Sequence, residues 1–211
     1  MSDDEDWQHP GWSEDVEVEE DPGLQFADFD TIKHWTVKLQ FIKDNQPRAG
    51  SGLFLNLPDI DDKLTILTAA HNLSSLDGTP ITNLVVIYND PDLKTISVPD
   101  NDIYVSPTYK DNGAAETDYG VIRIDNPSKV RRGFGFSVKL AYAEDFKGNV
   151  YVSGFQDKTP AGHPVTSTGS CIACYAKKIE YDVKTQPGIS GSAVWIEYKG
   201  CQTVVAVQYA P

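Results

Sequence analysis

The sequence contains few sulfur-bearing residues, with three cysteines and one methionine among 211 residues. Cys171 and Cys174 form a CxxC pair, but a zinc site needs a second pair of ligands, and only Cys201 and scattered histidines remain. The chain also lacks the strand–helix–strand context of a thioredoxin-like redox motif. We therefore interpret the cysteines as small apolar residues in or beside strands, and we predict no metal site.

Long apolar runs are also absent. No segment approaches the roughly 18 residues that a membrane-spanning helix needs, so we expect no membrane association. The N-terminus is acidic and has no basic region followed by an apolar stretch, so this sequence shows no secretory signal. Two compartments stay open: the protein is intracellular at face value, and secreted if a leader has been omitted.

Basic residues are outnumbered, because 18 Lys and Arg face 31 Asp and Glu for a formal net charge of −13. Residues 1–22 contain ten of these acids and no Lys or Arg, so the rest of the chain is nearly neutral. Nothing basic is clustered enough to follow a phosphate backbone, and we expect no nucleic-acid binding. We expect 1–28 to be a flexible acidic segment, either a solvating tail or a pro-segment, ahead of one domain at 29–211.

The sequence does contain a series of short β-branched and aromatic runs bounded by Gly, Pro, Asn and Asp. The predicted strands are 34–42, 51–57, 63–70, 83–90, 94–100, 118–125, 148–155, 171–183, 192–198 and 202–210, with a turn at QPRAG (46–50). Helical periodicity is not sustained anywhere, and only 70–76 suggests a helical turn. This pattern predicts an all-β barrel or sandwich.

The stretch TQPGISGSAVW at 185–195 contains two serines separated by one glycine. A nucleophilic serine needs a base, an acid that orients the base, and N–H groups that face the developing oxyanion. Gly188 can turn its N–H toward the same pocket as the N–H of Ser190, and Gly191 permits a tight turn. Ser192 opens an apolar run and is expected to support a strand. We therefore predict Ser190 as the nucleophile, with Gly188 and Ser190 as the oxyanion donors.

His71 is the candidate base, because the stretch LTAAH ends a predicted strand with two small alanines that allow close approach. With GSG at 50–52 ahead of it, this stretch resembles the histidine motif of the trypsin-like serine proteases, and the serine motif matches the same family in the same order. The orienting acid should open an apolar strand between them. TDYGVIRI places Asp118 there, whereas Asp111 and Glu116 do not lead directly into a strand.

The resemblance covers roughly residues 30–211 and implies a double six-stranded β-barrel, with a first barrel at about 31–130 and a second at about 131–211. Family members continue with a further strand and a C-terminal helix. The sequence stops at Pro211, so we expect that part of the fold to be missing or replaced. The implied activity is cleavage of protein or peptide substrates through an acyl-enzyme, with His71, Asp118 and Ser190 as the triad and no cofactor.

The run YDVKTQPGISGSAVW at 181–195 is most similar to the glutamyl endopeptidase branch. Gln208 stands where that branch carries a histidine that binds a glutamate side chain. Lys184 favours an acidic P1 side chain if it points inward, and a polar neutral pocket follows if it points to solvent. The residues expected to bind substrate are Lys184, Thr185, Val207, Gln208 and Tyr209.

Two other hypotheses stay open. One is a catalytically weak module of the same fold that binds extended peptides by strand addition. The other is an intracellular effector protease, tethered to further domains or to a regulatory partner, which refines the enzyme hypothesis. The complete triad and the oxyanion glycine favour the enzyme over the binding module.

The pocket residues generate the first prediction. Because Lys184 is cationic and Thr185 and Gln208 are polar, we expect cleavage after acidic or polar residues rather than after Arg or Lys. Profiling with a peptide library measures this preference directly. A profile dominated by cleavage after Arg or Lys would contradict it.

Overall fold

A computed structural model describes residues 29–57, 62–127, 132–136, 148–157, 160, 163–175, 177–198 and 201–209. The acidic segment expected at 1–28 and the barrel boundary expected near residue 130 lie outside the described residues. Within the described residues, no helix is long and apolar enough to cross a membrane.

The first sheet is built from the N-terminal half of the chain. Its strands are β1 (Thr36–Lys43), β2 (Gln46–Leu55), β3 (Lys63–Thr68), β4 (Thr82–Asp90), β5 (Asp92–Ser97), β6 (Ile103–Val105) and β7 (Gly120–Asp125). They are antiparallel in the order β5-β4-β1-β2-β3-β7-β6. The short strand β6 pairs with β7 and was not predicted from the sequence.

The hairpin between β1 and β2 turns at Asp44 and Asn45, whose left-handed φ values of 52° and 57° suit a tight two-residue loop. QPRAG at 46–50 therefore belongs to β2, where Pro47 pairs with Ile42. The prediction of a turn at QPRAG is wrong, because the asparagine one position earlier already reverses the chain.

The second sheet contains six strands among the described residues. They are β8 (Gly135–Phe136), β9 (Asn149–Gly154), β10 (Val165–Tyr175), β11 (Lys178–Tyr181), β12 (Ala193–Tyr198) and β13 (Cys201–Val207). Their order is β11-β10-β9-β12-β13-β8, and β8 runs parallel to β13 on the side away from β12. The two curled sheets confirm the expected all-β double barrel.

Helical structure is short. The helices are α1 (Phe29–Trp35) and α2 (Pro107–Asn112), with 3₁₀ turns at Ala70–Asn72, Asp100–Asp102 and Ala115–Thr117. The turn at Ala70–Asn72 agrees with the expectation for 70–76. His34, expected inside a strand, lies instead in the last turn of α1. The helix forms because Ile32 is buried against Leu53 and Phe134, a long-range contact that periodicity does not report.

Three clusters of buried side chains hold the sheets. The first fills the N-terminal barrel, and the third packs Ile189 against Val150 and Val194 in the C-terminal barrel. The second cluster crosses between the sheets and joins Leu53 of β2 to Trp195 of β12. This apolar seam places the start of β12 beside the centre of β2.

The cysteines agree with a structural interpretation. All three are free and half-buried, and the Sγ atoms of Cys171 and Cys174 lie 3.3 Å apart. Burial, together with Cys171, raises the pKa of the Cys174 thiol to about 11, so this thiol stays protonated at neutral pH. Among the described residues, no group of three or more His, Cys, Asp or Glu could hold a metal ion.

The close contact between β9 and the start of β12 generates a stability prediction. A Cβ atom on Gly154 would lie 1.6 Å from Ser192 Oγ and 2.9 Å from Ser51 Oγ. We expect Gly154→Ala to lower the free energy of unfolding by about 1–3 kcal/mol through overpacking. Urea denaturation measures this change.

Gly135→Ala is the matched control, since its Cβ would approach the backbone oxygen of Gln202 no closer than 3.7 Å. Removing the obstructing hydroxyl in Gly154→Ala/Ser192→Ala should restore part of the lost stability. Equal stability of Gly154→Ala and wild type would show that the contact between Gly154 and Ser192 can widen at little cost.

Candidate active site

The end of β3 presents His71 on a tight 3₁₀ turn. Ala69 and Ala70 are fully buried ahead of it. A Cβ on Gly120 would lie 3.7 Å from the Cα of Ala70 and 2.6 Å from a methyl group of Leu73. Small residues at Ala70 and Gly120 therefore let the histidine turn approach the start of β7, which Asp118 precedes by two residues.

His71 and Asp118 are directly hydrogen-bonded. The Nδ1 of His71 lies 2.6 Å from Asp118 Oδ2, and the backbone N–H of His71 donates to Asp118 Oδ1 at 2.8 Å. The Asp118 side chain is completely buried, whereas that of His71 is 24% exposed. Because Asp118 engages Nδ1, Nε2 is the ring nitrogen left to act toward solvent. The competing acids Asp111 and Glu116 are exposed.

Lys43 supports the histidine turn from the first hairpin. Its ammonium donates to the carbonyl oxygen of His71 at 2.8 Å and to that of Ser74 at 3.4 Å. Burial lowers the pKa of Lys43, although nearby acids including Asp118 oppose this shift. Sequence reasoning did not identify this contact, because Lys43 lies 28 positions before His71.

Two glycines shape the loop that carries Ser190. Gly188 and Gly191 have φ values of 93° and 85°, in the left-handed region that favours glycine. A Cβ on Gly188 would lie 2.6 Å from the backbone nitrogen of Asp157, and one on Gly191 would lie 2.2 Å from the carbonyl oxygen of Ser51. No other residue type fits either position without a shift, and the loop is fixed where it faces the first barrel.

The carbonyl oxygen of Ser190 is bound by two donors from the first barrel. The N–H of Ser51 donates to it at 2.8 Å, and Asn72 Nδ2 donates at 2.9 Å. Asn72 Nδ2 also contacts Thr68 Oγ1 at 3.1 Å, and this hydroxyl donates to the carbonyl of Ser51 at 2.7 Å. We call Ser51, Thr68 and Asn72 the inter-barrel clamp. Because Asn72 follows His71 directly, the clamp sets the histidine turn against the serine loop.

The clamp also reaches the expected oxyanion residues. Ser51 Oγ donates to the carbonyl of Gly188 at 3.0 Å and accepts the N–H of Phe155 at 2.8 Å. Among the described residues, no backbone carbonyl outside the sheets accepts the N–H of Gly188 or of Ser190.

Ser192 has a different environment from Ser190. It is fully buried, and its Oγ has no hydrogen-bond partner among the described residues. Its carbonyl accepts the N–H of Gln208 at 2.9 Å. Ser190 is only half-buried. The burial of Ser192 agrees with its expected role in supporting the strand, whereas the assignment of Ser190 as the nucleophile stays a prediction.

The expected substrate-binding residues differ in how far their side chains are exposed. Lys184 is exposed, and Thr185 and Val207 are half-buried. Gln208 is buried, and its Oε1 accepts the hydroxyl of Tyr181.

Two tyrosines lie near the candidate residues: Tyr209 contacts His71, and Tyr181 contacts Gln208. The ring of Tyr209, which is 49% exposed, meets the His71 ring edge-to-face with centroids 6.2 Å apart. Tyr181 was missed by sequence reasoning. Burial raises the pKa of this phenol to about 12, so it stays protonated and donates to Gln208.

Comparison with known proteins connects this geometry to one fold. No family model and no curated protein matches the sequence. A solved glutamyl endopeptidase, in complex with MPD, matches with a TM-score of 0.62 and 17% identity, covering 87% of this chain and 82% of that one. The thermostable serine protease AL20 from an extremophilic microorganism matches with a TM-score of 0.61 and 14% identity, covering 82% of this chain and 83% of that one. The product-bound tobacco etch virus protease matches with a TM-score of 0.58 and 13% identity, covering 89% of this chain and 72% of that one. The chain has the fold of the trypsin-like serine proteases.

The clamp generates a prediction for Asn72. Asn72→Ala removes one of the two donors to the Ser190 carbonyl, and we expect the free energy of unfolding to fall by about 1–3 kcal/mol. Because the histidine and serine loops lose their direct link, we also expect fluorophosphonate labelling of Ser190 to slow by about tenfold. Denaturation and timed mass spectrometry measure the two effects.

The exposed Asn101, which also lies in a 3₁₀ turn, provides the matched control Asn101→Ala. It should behave as wild type in both measurements. A labelling rate unchanged in Asn72→Ala would show that the Ser51 N–H positions the serine loop without help.

Proposed function

We propose that this protein is a serine endopeptidase that cleaves peptide bonds through His71, Asp118 and Ser190. The observation that carries the proposal is the buried carboxylate of Asp118, which accepts both the ring and the backbone N–H of His71. A solvated loop acid would not need two such bonds. The clamp adds support, because Asn72, the residue after His71, donates to the carbonyl of the half-buried Ser190.

In the proposed reaction, Ser190 Oγ attacks the scissile carbonyl carbon and His71 Nε2 takes the hydroxyl proton. Asp118 holds the imidazole in the required tautomer and stabilises the imidazolium. The N–H groups of Gly188 and Ser190 stabilise the oxyanion, a contribution worth roughly 10²–10³ in rate per donor. His71 then protonates the leaving amine as the C–N bond breaks, which leaves an acyl-enzyme. Water attacks the acyl carbon with His71 again as base, and His71 returns the proton to Ser190 Oγ as the ester bond breaks and the acid product leaves.

The proposed P1 preference is polar or acidic. Thr185 and the Tyr181–Gln208 pair offer neutral hydrogen-bonding groups, and Lys184 is exposed. This arrangement favours the polar neutral version of the pocket, with Lys184 able to add attraction for an acid only from its rim. A cationic P1 side chain would meet no compensating charge among these four residues.

The proposed partners are protein or peptide substrates, in keeping with the protease neighbours. A tethered effector role is a separate proposal that the full-length gene tests. Further domains after residue 211 would favour it, and a secretory leader before residue 1 would exclude it.

A fluorophosphonate probe tests the proposed function. Because Ser190 Oγ displaces fluoride from the probe, we expect wild type and Ser192→Ala to gain the mass of one phosphonyl group (the probe less HF), and Ser190→Ala to gain none. Ser192→Ala is a matched control, because this serine is two positions away and its buried hydroxyl has no partner among the described residues. Removing such a hydroxyl should not destabilise the loop.

An unlabelled wild type, or label retained in Ser190→Ala, would contradict the proposed nucleophile. In the first case the peptide-binding module becomes the better account of the fold. Hydrolysis of a protein substrate by wild type but not by His71→Ala would complete the assignment of the base.

A further inference from the structure

The two cysteines of the CxxC pair lie near the end of β10, where this strand changes its neighbour. Residues 165–170 pair with β9, whereas Cys171 pairs with Tyr181 of β11. Cys171 also packs against the buried cluster that contains Ile189, the residue directly before Ser190. The pair therefore belongs to the framework of the second barrel and not to the proposed triad.

A β-bulge brings the two thiols to the same face of β10. Side chains alternate along a regular strand, so residues three positions apart, such as Cys171 and Cys174, would point to opposite faces. The register shifts between Cys171 and Ala173, and the extra residue is Ile172, whose side chain is 67% exposed. The extra residue corrects the alternation by one position, and the two Sγ atoms lie 3.3 Å apart.

This separation is close to what a disulfide needs. An S–S bond is about 2.05 Å long, so the two sulfur atoms have to approach by only roughly 1.2 Å. Both residues are free and half-buried, and part of each is accessible to a small oxidant. Cys201 is also free and half-buried, but among the described residues no thiol lies within hydrogen-bond distance of it. The geometry therefore favours one pair among the three thiols.

We propose that Cys171 and Cys174 form a reversible disulfide when the folded protein meets a small-molecule disulfide such as oxidised glutathione. The inference goes beyond the proposed function and does not depend on it, because neither thiol belongs to the triad or to the expected substrate-binding residues.

The protonation of Cys174 sets the order of the two steps. Burial, together with Cys171, raises the pKa of the Cys174 thiol to about 11, so Cys171 is the thiol that attacks first. Its sulfur bonds to one sulfur of oxidised glutathione, and one glutathione thiolate leaves. Cys174 then gives its proton to water and attacks Cys171 Sγ, which releases the second glutathione thiolate. Two protein thiols are oxidised, and one glutathione disulfide is reduced to two thiols.

Counting thiols tests the proposal on the folded protein. The protein is incubated with oxidised glutathione, quenched with acid, then unfolded and alkylated with iodoacetamide before mass spectrometry. We expect wild type to lose two alkylatable thiols and to yield a peptide that links Cys171 to Cys174. Dithiothreitol should restore both thiols. A pair that stays unlinked, or a disulfide that includes Cys201, would overturn the proposal.

Serine variants test the order of attack. Cys174→Ser lacks the second thiol, so we expect one glutathione to stay bound at Cys171. Cys171→Ser should bind glutathione at Cys174 about tenfold more slowly, because burial keeps that thiol protonated. Cys201→Ser is the matched control, since Cys201 is equally free and half-buried, and it should form the same disulfide as wild type. Faster modification of Cys174 than of Cys171 would contradict the proposed order.

Wild type alone also decides whether the fold creates the pair, even if a variant fails to fold. Because the bulge holds the thiols together, we expect the equilibrium constant for closing the disulfide against glutathione to be about tenfold larger in the folded protein than in urea. NMR of the oxidised protein should keep its native dispersion, with shifts centred on 171–175 and on Tyr181, the partner of Cys171. A larger constant in urea, or loss of native dispersion on oxidation, would show that native β10 opposes the bond and would overturn the proposal.

Discussion

The carbonyl oxygen of Ser190 is the point at which the two barrels are joined beside the candidate site. Both of its donors, the Ser51 N–H and the Asn72 amide, come from the first barrel. The contact of the serine loop with the first barrel therefore depends on Ser51 and on the histidine turn that carries Asn72. This single constraint explains why Gly191 has no room for a side chain: its Cβ would enter the clamp.

Apolar packing and hydrogen bonding have different roles in the contact between the two barrels. The seam that joins Leu53 to Trp195 removes large side chains from water and supplies non-directional stabilisation. Non-directional packing would tolerate small shifts between the sheets. The hydrogen bonds of Ser51, Thr68 and Asn72 do not, because their energy depends on distance and angle. The seam thus brings the barrels together, and the clamp sets their alignment.

The loop that carries Ser190 has both neutral and charged side chains near it. Toward Gln208, burial keeps the pKa of the Tyr181 phenol high, and this neutral hydroxyl donates to the Gln208 side chain. Toward the β1–β2 hairpin, the charged side chains of Lys38, Arg48 and Asp157 line a groove that also reaches Gly188 and Ser190.

The sequence by itself determined the features that depend on neighbouring residues. Alternating apolar runs predicted most strands, and the small residues around His71, Asp118 and Ser190 marked the three turns of the candidate site. Tertiary structure decided what depends on distant partners. Helix α1 extends over His34 and Trp35, where a strand was expected to begin, because Ile32 of this helix packs against Phe134. Asn72 gains its role from a carbonyl 118 positions away, and Tyr181 from a glutamine 27 positions away. Local patterns record what a segment can adopt, whereas these contacts exist only after chain folding brings the two barrels together.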